Sequence, residues 1–461
     1  MKKVLQAALL IALLLTPSRV WAHAHLKRSD PAAGSVVTNA LLVIRLWFTE
    51  RPELSMTSVS LRDSDGKEIA LMLPEAGRPG DNEIHFRLSG PLPPGRYVFT
   101  WRTAASDGHP SRGSIGFTVV GEATAPRPGT SSTSPAVRGT RDNTPSETPG
   151  NRGEAVEEED DAASPANSLA RALLFTALLA VIGVITFRIL VLPRARSLSS
   201  ELCQKMARRA AALGLLASAV LILISLARLY LEARMMGAMQ GMEGSRLNQI
   251  VMQTLWGNTF IAQVAAAILA LVAFAFAMRG MRIGWTIATI SAIALAITPG
   301  LGGHAASSPR FTSLLISADF LHVLAGASWL GTLLCVMLIG VPIVLAAEGA
   351  DRWGSVASLI NSFSPIALGS ATLVVASGVL ASWIHLERLS SLWTTSYGKA
   401  LLAKLLLVAC ILTIGAYNFR RVQPQLVREE GVARLRKSAG IELAIGVLIL
   451  LVTGLLTGIS P

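Results

Sequence analysis

Two hydrophobic rhythms divide the chain. Between residues 23 and 120, apolar residues alternate with polar ones over short stretches: Val43-Ile44-Arg45-Leu46-Trp47-Phe48, Ser58-Val59-Ser60-Leu61, Glu83-Ile84-His85-Phe86-Arg87-Leu88, Arg96-Tyr97-Val98-Phe99-Thr100-Trp101 and Gly116-Phe117-Thr118-Val119-Val120. A period of two turns one face of each stretch into a core. Asp65-Gly66, Pro79-Gly80, Pro93-Pro94-Gly95 and Asp107-Gly108 punctuate them as turns. Short strands at this spacing predict an all-β sandwich, with Greek-key connections of the Ig-like or cupredoxin-like kind.

Past residue 168 the alternation gives way to near-continuous apolar runs, at about 169–192, 210–231, 259–278, 283–299, 314–340, 358–384, 400–418 and 441–459. Runs near 20 residues long cross a bilayer as helices, and the fourth is the shortest. Residues 168–461 therefore read as an all-α polytopic membrane domain of eight helices. Residues 121–167 are rich in Pro, Ser, Thr, Gly and charge and end in the acidic run Glu157 to Asp161. Such a segment has too little apolar surface to order itself and is expected to be a disordered tether.

The first 22 residues combine Lys2 and Lys3, the apolar stretch Val4 to Leu15, and Val20-Trp21-Ala22, the order of a signal peptide cleaved after Ala22. If the sandwich is exported, the first helix runs inward. Alternation then assigns Arg194, Arg196, Lys205, Arg208, Arg209, Arg279, Arg282, Arg352, Arg420, Arg421, Arg428, Arg434, Arg436 and Lys437 to cytoplasmic loops, against Arg234, Arg246, Arg310, Arg388 and Lys399 outside. That asymmetry follows the positive-inside rule and supports an even helix count. The expected location is the cell inner membrane, multi-pass, with the N-terminal domain in the periplasm.

Composition refines this picture. At 461 residues, 51% hydrophobic and mean hydropathy +0.51, the chain is too apolar for a soluble protein of its size. A net charge of +12 would ordinarily raise the question of nucleic acid. Here the basic residues sit in short loops between apolar runs, so a nucleic-acid partner is excluded and the lipid bilayer is the expected one. Cys203, Cys335 and Cys410 all fall in the helical half, which rules out a disulfide framework for the exported half.

Cleavage after Ala22 would make His23 the first residue, whose free amine and imidazole Nδ1 can chelate one metal as a histidine brace. Asp107 and His109, two apart, can present a carboxylate and a second imidazole to one point if the backbone there is extended. An amine, two imidazoles and a carboxylate form a mixed N/O set suited to Cu(II). His25 offers an alternative, because a His at position three can bind Cu(II) through the amine and deprotonated backbone amides. In the helical half, Asp319 and His322 share a face of helix 5 in a stripe that Gly326 and Trp329 continue inward, while His304 precedes that helix and His385 ends helix 6. Together they outline a copper path toward the outer face; the competing reading pairs Asp319 structurally with Lys404 at similar depth on helix 7. The thioethers of Met235-Met236-Gly237-Ala238-Met239-Gln240-Gly241-Met242 would favour Cu(I), against the ordinary use of Met as a gap filler.

His23-Ala24-His25-Leu26, Asp30-Pro31-Ala32-Ala33-Gly34-Ser35, Phe48-Thr49-Glu50, Gly95-Arg96-Tyr97 and Ser106-Asp107-Gly108-His109-Pro110 together resemble the CopC periplasmic copper-binding family. Gly303-His304-Ala305, Asp319-Phe320-Leu321-His322, Ser328-Trp329-Leu330-Gly331 and Tyr397-Gly398-Lys399-Ala400-Leu401-Leu402-Ala403-Lys404 resemble the CopD inner-membrane family. The resemblance covers nearly the whole chain apart from the tether, as a CopC/CopD fusion. It implies Cu(II) ligands at His23, Asp107 and His109, with Glu50 beside the site; the family's Met-rich Cu(I) loop is missing, since the sandwich holds only Met56 and Met72. The implied function is capture of periplasmic Cu(II), with periplasmic copper chaperones as further partners, and inward movement of copper across the inner membrane, without enzymatic activity. Two rivals are a copper monooxygenase built on the brace and a haem- or copper-dependent membrane redox protein. Haem would need two facing intramembrane His residues per haem.

Overall fold

The computed structural model describes residues 26–38, 40–48, 52–54, 57–72, 74–77, 82–104, 110–120, 165–235, 248, 251–252, 254–303, 311–347, 351–385 and 389–458. They fall into two compact units, one of strands and one of helices. The segments expected to be the signal peptide and the tether lie outside the described residues.

The strand unit contains β1 (Leu26–Asp30), β2 (Val36–Val37), β3 (Val43–Phe48), β4 (Ser58–Asp63), β5 (Glu68–Ile69), β6 (Glu75–Ala76), β7 (Glu83–Arg87), β8 (Gly95–Ala104) and β9 (Pro110–Val119). They form one sheet in the order β1-β3-β7-β6 and a second in the order β2-β9-β8-β4-β5. The alternation in sequence is the alternation in space: Ile44, Leu46 and Phe48 of β3, Ile84 and Phe86 of β7, and Tyr97, Phe99 and Trp101 of β8 are all buried. Phe86 and Phe99 join the two sheets, their ring centroids 5.2 Å apart.

Four strands were not expected. β2, β5 and β6 have two residues each, below the length at which a period shows. β1, Leu-Lys-Arg-Ser-Asp, is polar because it is an edge strand with one neighbour. It is held by pairing with β3 and by the Arg28 guanidinium, 3.9 Å from the centre of the Trp47 ring.

Among the described residues, the helical unit has eight spans long and apolar enough to cross a membrane: α1 (Pro165–Arg194), α2 (Ser200–Leu231), α3 (Leu255–Met278), α4 (Arg282–Leu301), α5 (Thr312–Leu345), α6 (Arg352–Ile384), α7 (Ser396–Gln425) and α8 (Glu429–Leu456). The helices outrun the apolar runs, most of all in α8, whose first turn is Glu429-Glu430. Carboxylates there complement the positive end of the helix dipole, which lets a polar turn continue the helix beyond the apolar stretch.

Four π-helical turns interrupt the spans: Phe187–Val191 in α1, Ala327–Gly331 and Val336–Gly340 in α5, and Asn418–Val422 in α7. Trp329, expected to continue the stripe of Asp319 and His322, lies within the first turn in α5, where the spacing departs from that of a regular α-helix. The turn serves packing: a Cβ on Gly331 would lie 2.1 Å from the Leu179 carbonyl oxygen of α1. Only glycine permits that approach of two helix backbones.

Candidate functional site

The strand unit brings to one end the described residues that flank the segments expected to bind metal. Leu26, next after His25, pairs with Phe48, two residues before Glu50. At the far side of the 49–57 connection, Ser58 pairs with Arg102, near the end of β8, and the Thr57 and Thr103 hydroxyls are 2.7 Å apart. β8 and β9 are then joined through 105–109, which contains Asp107 and His109. The short connection 88–94 requires the same polarity, because β7 leaves the sheet at the opposite end and β8 begins there. His23, His25, Glu50, Asp107 and His109 themselves lie outside the described residues.

The electrostatics of that end are set partly by arginine. Arg102 on β8 and Arg112 on β9 flank the 105–109 connection, and the Arg102 guanidinium is held below its usual range, first by burial and then by repulsion from Arg112. A cation bound beside two guanidinium groups needs carboxylates to offset them. Asp107 and Glu50 are the acids that the sequence holds in the 105–109 and 49–57 connections.

In the helical unit, Asp319 and His322 of α5 are brought together with three groups from other helices. The His322 Nδ1 lies 3.0 Å from Ser377 Oγ of α6. The Ser377 hydroxyl also lies 2.7 Å from the Leu373 carbonyl oxygen. In the tautomer with the ring proton on Nδ1, the hydroxyl donates to that carbonyl and accepts from the imidazole, which leaves the Nε2 lone pair open. Lys404 of α7 interacts electrostatically with both His322 and Asp319, and Tyr397, two turns earlier on α7, with Asp319. At 1.5 Å per residue, His322 lies about 15 Å from the start of α5, Lys404 about 12 Å from the start of α7 and Ser377 about 10 Å from the end of α6. All three distances are measured from the end at which the chain enters the helical unit.

Small residues make room for this cluster. A Cβ on Gly300 of α4 would stand 3.3 Å from Asp319 Cβ, and one on Gly378 would stand 3.4 Å from His322 Cε1. Gly398, whose Cβ would meet the Ser391 carbonyl oxygen at 2.0 Å, fixes the first turn of α7 beside Tyr397, where Thr395 caps the helix by accepting from the Gly398 amide at 3.0 Å.

The expected pairing of Asp319 with Lys404 and the expected association of Asp319 with His322 are thus one cluster. Ser377 and Tyr397 escaped the sequence reading as site residues, because a serine in an apolar helix is common and only the fold shows which helix faces His322. His304 lies outside the described residues, as does Met236 to Met242; of His385 the backbone alone is described. Among the described residues, no three His, Cys, Asp or Glu gather as one metal-binding group. Cys335 is fully buried and Cys410 half-buried.

Three family models match the chain: the CopC domain over residues 26–120, the copper resistance protein D-like N-terminal domain over 161–309, and copper resistance protein D over 357–456. Over 460 residues the chain is 26% identical to copper transport protein CutJ of Bacillus subtilis (strain 168), covering 98% of this chain and 77% of that protein. It is 27% identical to copper resistance protein D of Pseudomonas syringae pv. tomato, covering 64% of this chain and 97% of that one. Protein YobA of Escherichia coli (strain K12) is 33% identical over 112 residues, 24% of this chain and 90% of that protein.

Proposed function

As the chain belongs to the family of fused CopC and CopD copper-resistance proteins, we propose that its sandwich captures Cu(II) in the periplasm and its helical half moves copper inward across the inner membrane. The reading is that of a carrier, with copper as cargo and no reaction catalysed. What supports it in the membrane half is the cluster of Asp319, His322, Ser377, Tyr397 and Lys404. Ionisable groups at this depth in a bilayer ordinarily mark a path for ions.

Each group has a part in that path. With Nδ1 tied to Ser377, His322 offers its Nε2 lone pair to a metal, and Asp319 adds a carboxylate. Lys404 holds that carboxylate paired while no metal is there and is driven from it when a metal cation arrives, because the ammonium and the metal repel each other strongly in a low-dielectric site. The sandwich would load this path with Cu(II) held by the His23 amine and imidazole, Asp107 and His109, with Glu50 alongside and His25 as the alternative ligand. A haem protein fits less well. Of the three histidines in the helical half, His385 lies about 12 Å further along its helix than Ser377, the residue that faces His322.

Cellular copper measured with and without the protein tests the reading. Expression should raise intracellular copper, and His322→Ala should abolish the increase while leaving protein level and Cu(II) binding by the sandwich intact. Unchanged transport in His322→Ala would remove the cluster from the path. Failure of the variant to accumulate in the membrane would make the cluster a packing device.

A further inference from the structure

A second ionisable group lies in the helical unit at the end opposite Asp319 and has no part in the path above. Glu442, near the start of the apolar run of α8, is 4% exposed. Its carboxylate Oε1 accepts a hydrogen bond from Asn418 Nδ2. Asn418 opens the π-helical turn of α7, and its own Oδ1 is buried without a hydrogen-bond partner. Isolated π turns in α-helices occur often at functional positions. Here the turn presents to a buried acid an amide with one group engaged and the other idle.

The donor set identifies the ligand. Copper(I) favours sulfur and nitrogen, whereas this site offers a carboxylate and an amide oxygen. Hard cations such as Na⁺, Mg²⁺ or Ca²⁺ would accept oxygen but require about six of them. A proton needs one carboxylate oxygen and a neighbour that accepts the resulting O–H. Asn418 serves both states: Nδ2–H donates to the carboxylate, and after a flip of the amide Oδ1 accepts from the carboxylic acid. The idle Oδ1 is the acceptor that the second state requires.

The helices packed against α8 supply the other charged and titratable groups. They are Arg171, Arg188 and Arg194 on α1, Asp319, His322 and Cys335 on α5, Arg352 on α6, and Tyr397, Lys399, Lys404, Cys410, Tyr417, Arg420 and Arg421 on α7. On α8 itself, Arg434, Arg436 and Lys437 are exposed on the turns before Glu442. Arg420 and Arg421 are exposed within one turn of Asn418, so the charged end of α7 lies close to the pair. Lys404 is about 21 Å back toward the start of α7.

We propose that Glu442 and Asn418 form a proton-binding site that couples copper movement to the movement of a proton. One proton adds to a carboxylate oxygen of Glu442 and leaves from the same atom, and no electrons are transferred. The coupling rests on the transport reading above; the proton site does not.

Full-length protein in lipid vesicles, treated with a hydrophobic carbodiimide that attacks protonated carboxyls, tests the site directly. The peptide containing Glu442 should carry the adduct at acidic pH and lose it at alkaline pH, and Glu442→Gln should carry none. Copper added outside vesicles containing a trapped pH dye tests the coupling: wild type should shift the internal pH, and Glu442→Gln should lose the shift while the sandwich still binds copper. Absence of labelling at every pH, or a copper-driven shift in Glu442→Gln equal to wild type, overturns the proposal. Should copper fail to enter wild-type vesicles while Glu442 labels with the expected pH dependence, the transport reading falls and the proton site stands.

Discussion

At the scale of single residues, Tyr97 shows how one side chain secures the sandwich. Its hydroxyl donates to the Pro93 carbonyl oxygen at 2.7 Å, and its ring stacks on Phe117 at 5.8 Å between centroids. Burial first, and the Asp63 carboxylate second, raise the phenol above its ordinary value of 10.0. A group whose folded value is raised contributes stability that is complete below the unfolded value and is lost as pH climbs through the folded one. The sandwich should therefore weaken above about pH 10. In a fragment of residues 23–120, Tyr97→Phe should cost about 1 kcal/mol at neutral pH and flatten the alkaline decline of the melting temperature; an unchanged decline would assign it to another group.

The candidate copper ligands belong to the same scale. Their residue types and their neighbourhood in sequence were enough to nominate His23, Asp107 and His109. The fold adds the register by which Leu26, Phe48, Ser58 and Arg102 bring the flanking segments to one end. Binding through the amine and two imidazoles requires all three to lose protons, so Cu(II) affinity should fall as pH drops. In titrations, His109→Ala should lose more affinity than His25→Ala, and a single residue left before His23 should weaken binding at least as much. The reverse order between the two histidines would favour chelation by the amine, His25 and backbone amides.

Among elements, the long helices were legible because their length and apolar content follow from the bilayer they cross, whatever they pack against. Their internal irregularities were not. A π turn inserts one residue without changing composition, so Ala327-Ser328-Trp329-Leu330-Gly331 reads as ordinary helix until Gly331 is seen against Leu179 and Gly183 of α1. The strands divide in the same way: β3, β7 and β8 have cores and therefore periods, while β1 has one partner and hardly any buried side chain. The α1–α5 crossing gives an element-scale prediction. Gly331→Ala places a Cβ against backbone, which a flexible side chain cannot relieve, and should lower stability in detergent by roughly 1–3 kcal/mol or more. Gly415→Ala, at a glycine with open space around it, is the control and should melt like wild type. Equal melting of both variants would mean that α1 and α5 can part without cost.

For the whole molecule, the separation into two units has a functional consequence. Each has a core of its own, the sandwich around Phe48, Phe86 and Phe99, the bundle around α1, so neither needs the other to fold. On the proposed reading, joining them by chain leaves the ligands of each site unchanged and raises the concentration of captured metal that the bundle meets. Deleting residues 23–120 behind the export segment should therefore leave transport near its full rate at saturating copper, because Asp319, His322, Ser377, Tyr397 and Lys404 all belong to the bundle. At scarce copper the truncated protein should fall behind, and the copper concentration giving half the maximal rate should rise. Uptake measured across a range of external copper separates the two possibilities. A maximal rate reduced to nothing, in a truncated protein still present in the membrane at its usual level, would mean that the sandwich hands copper directly to the bundle as an obligatory step.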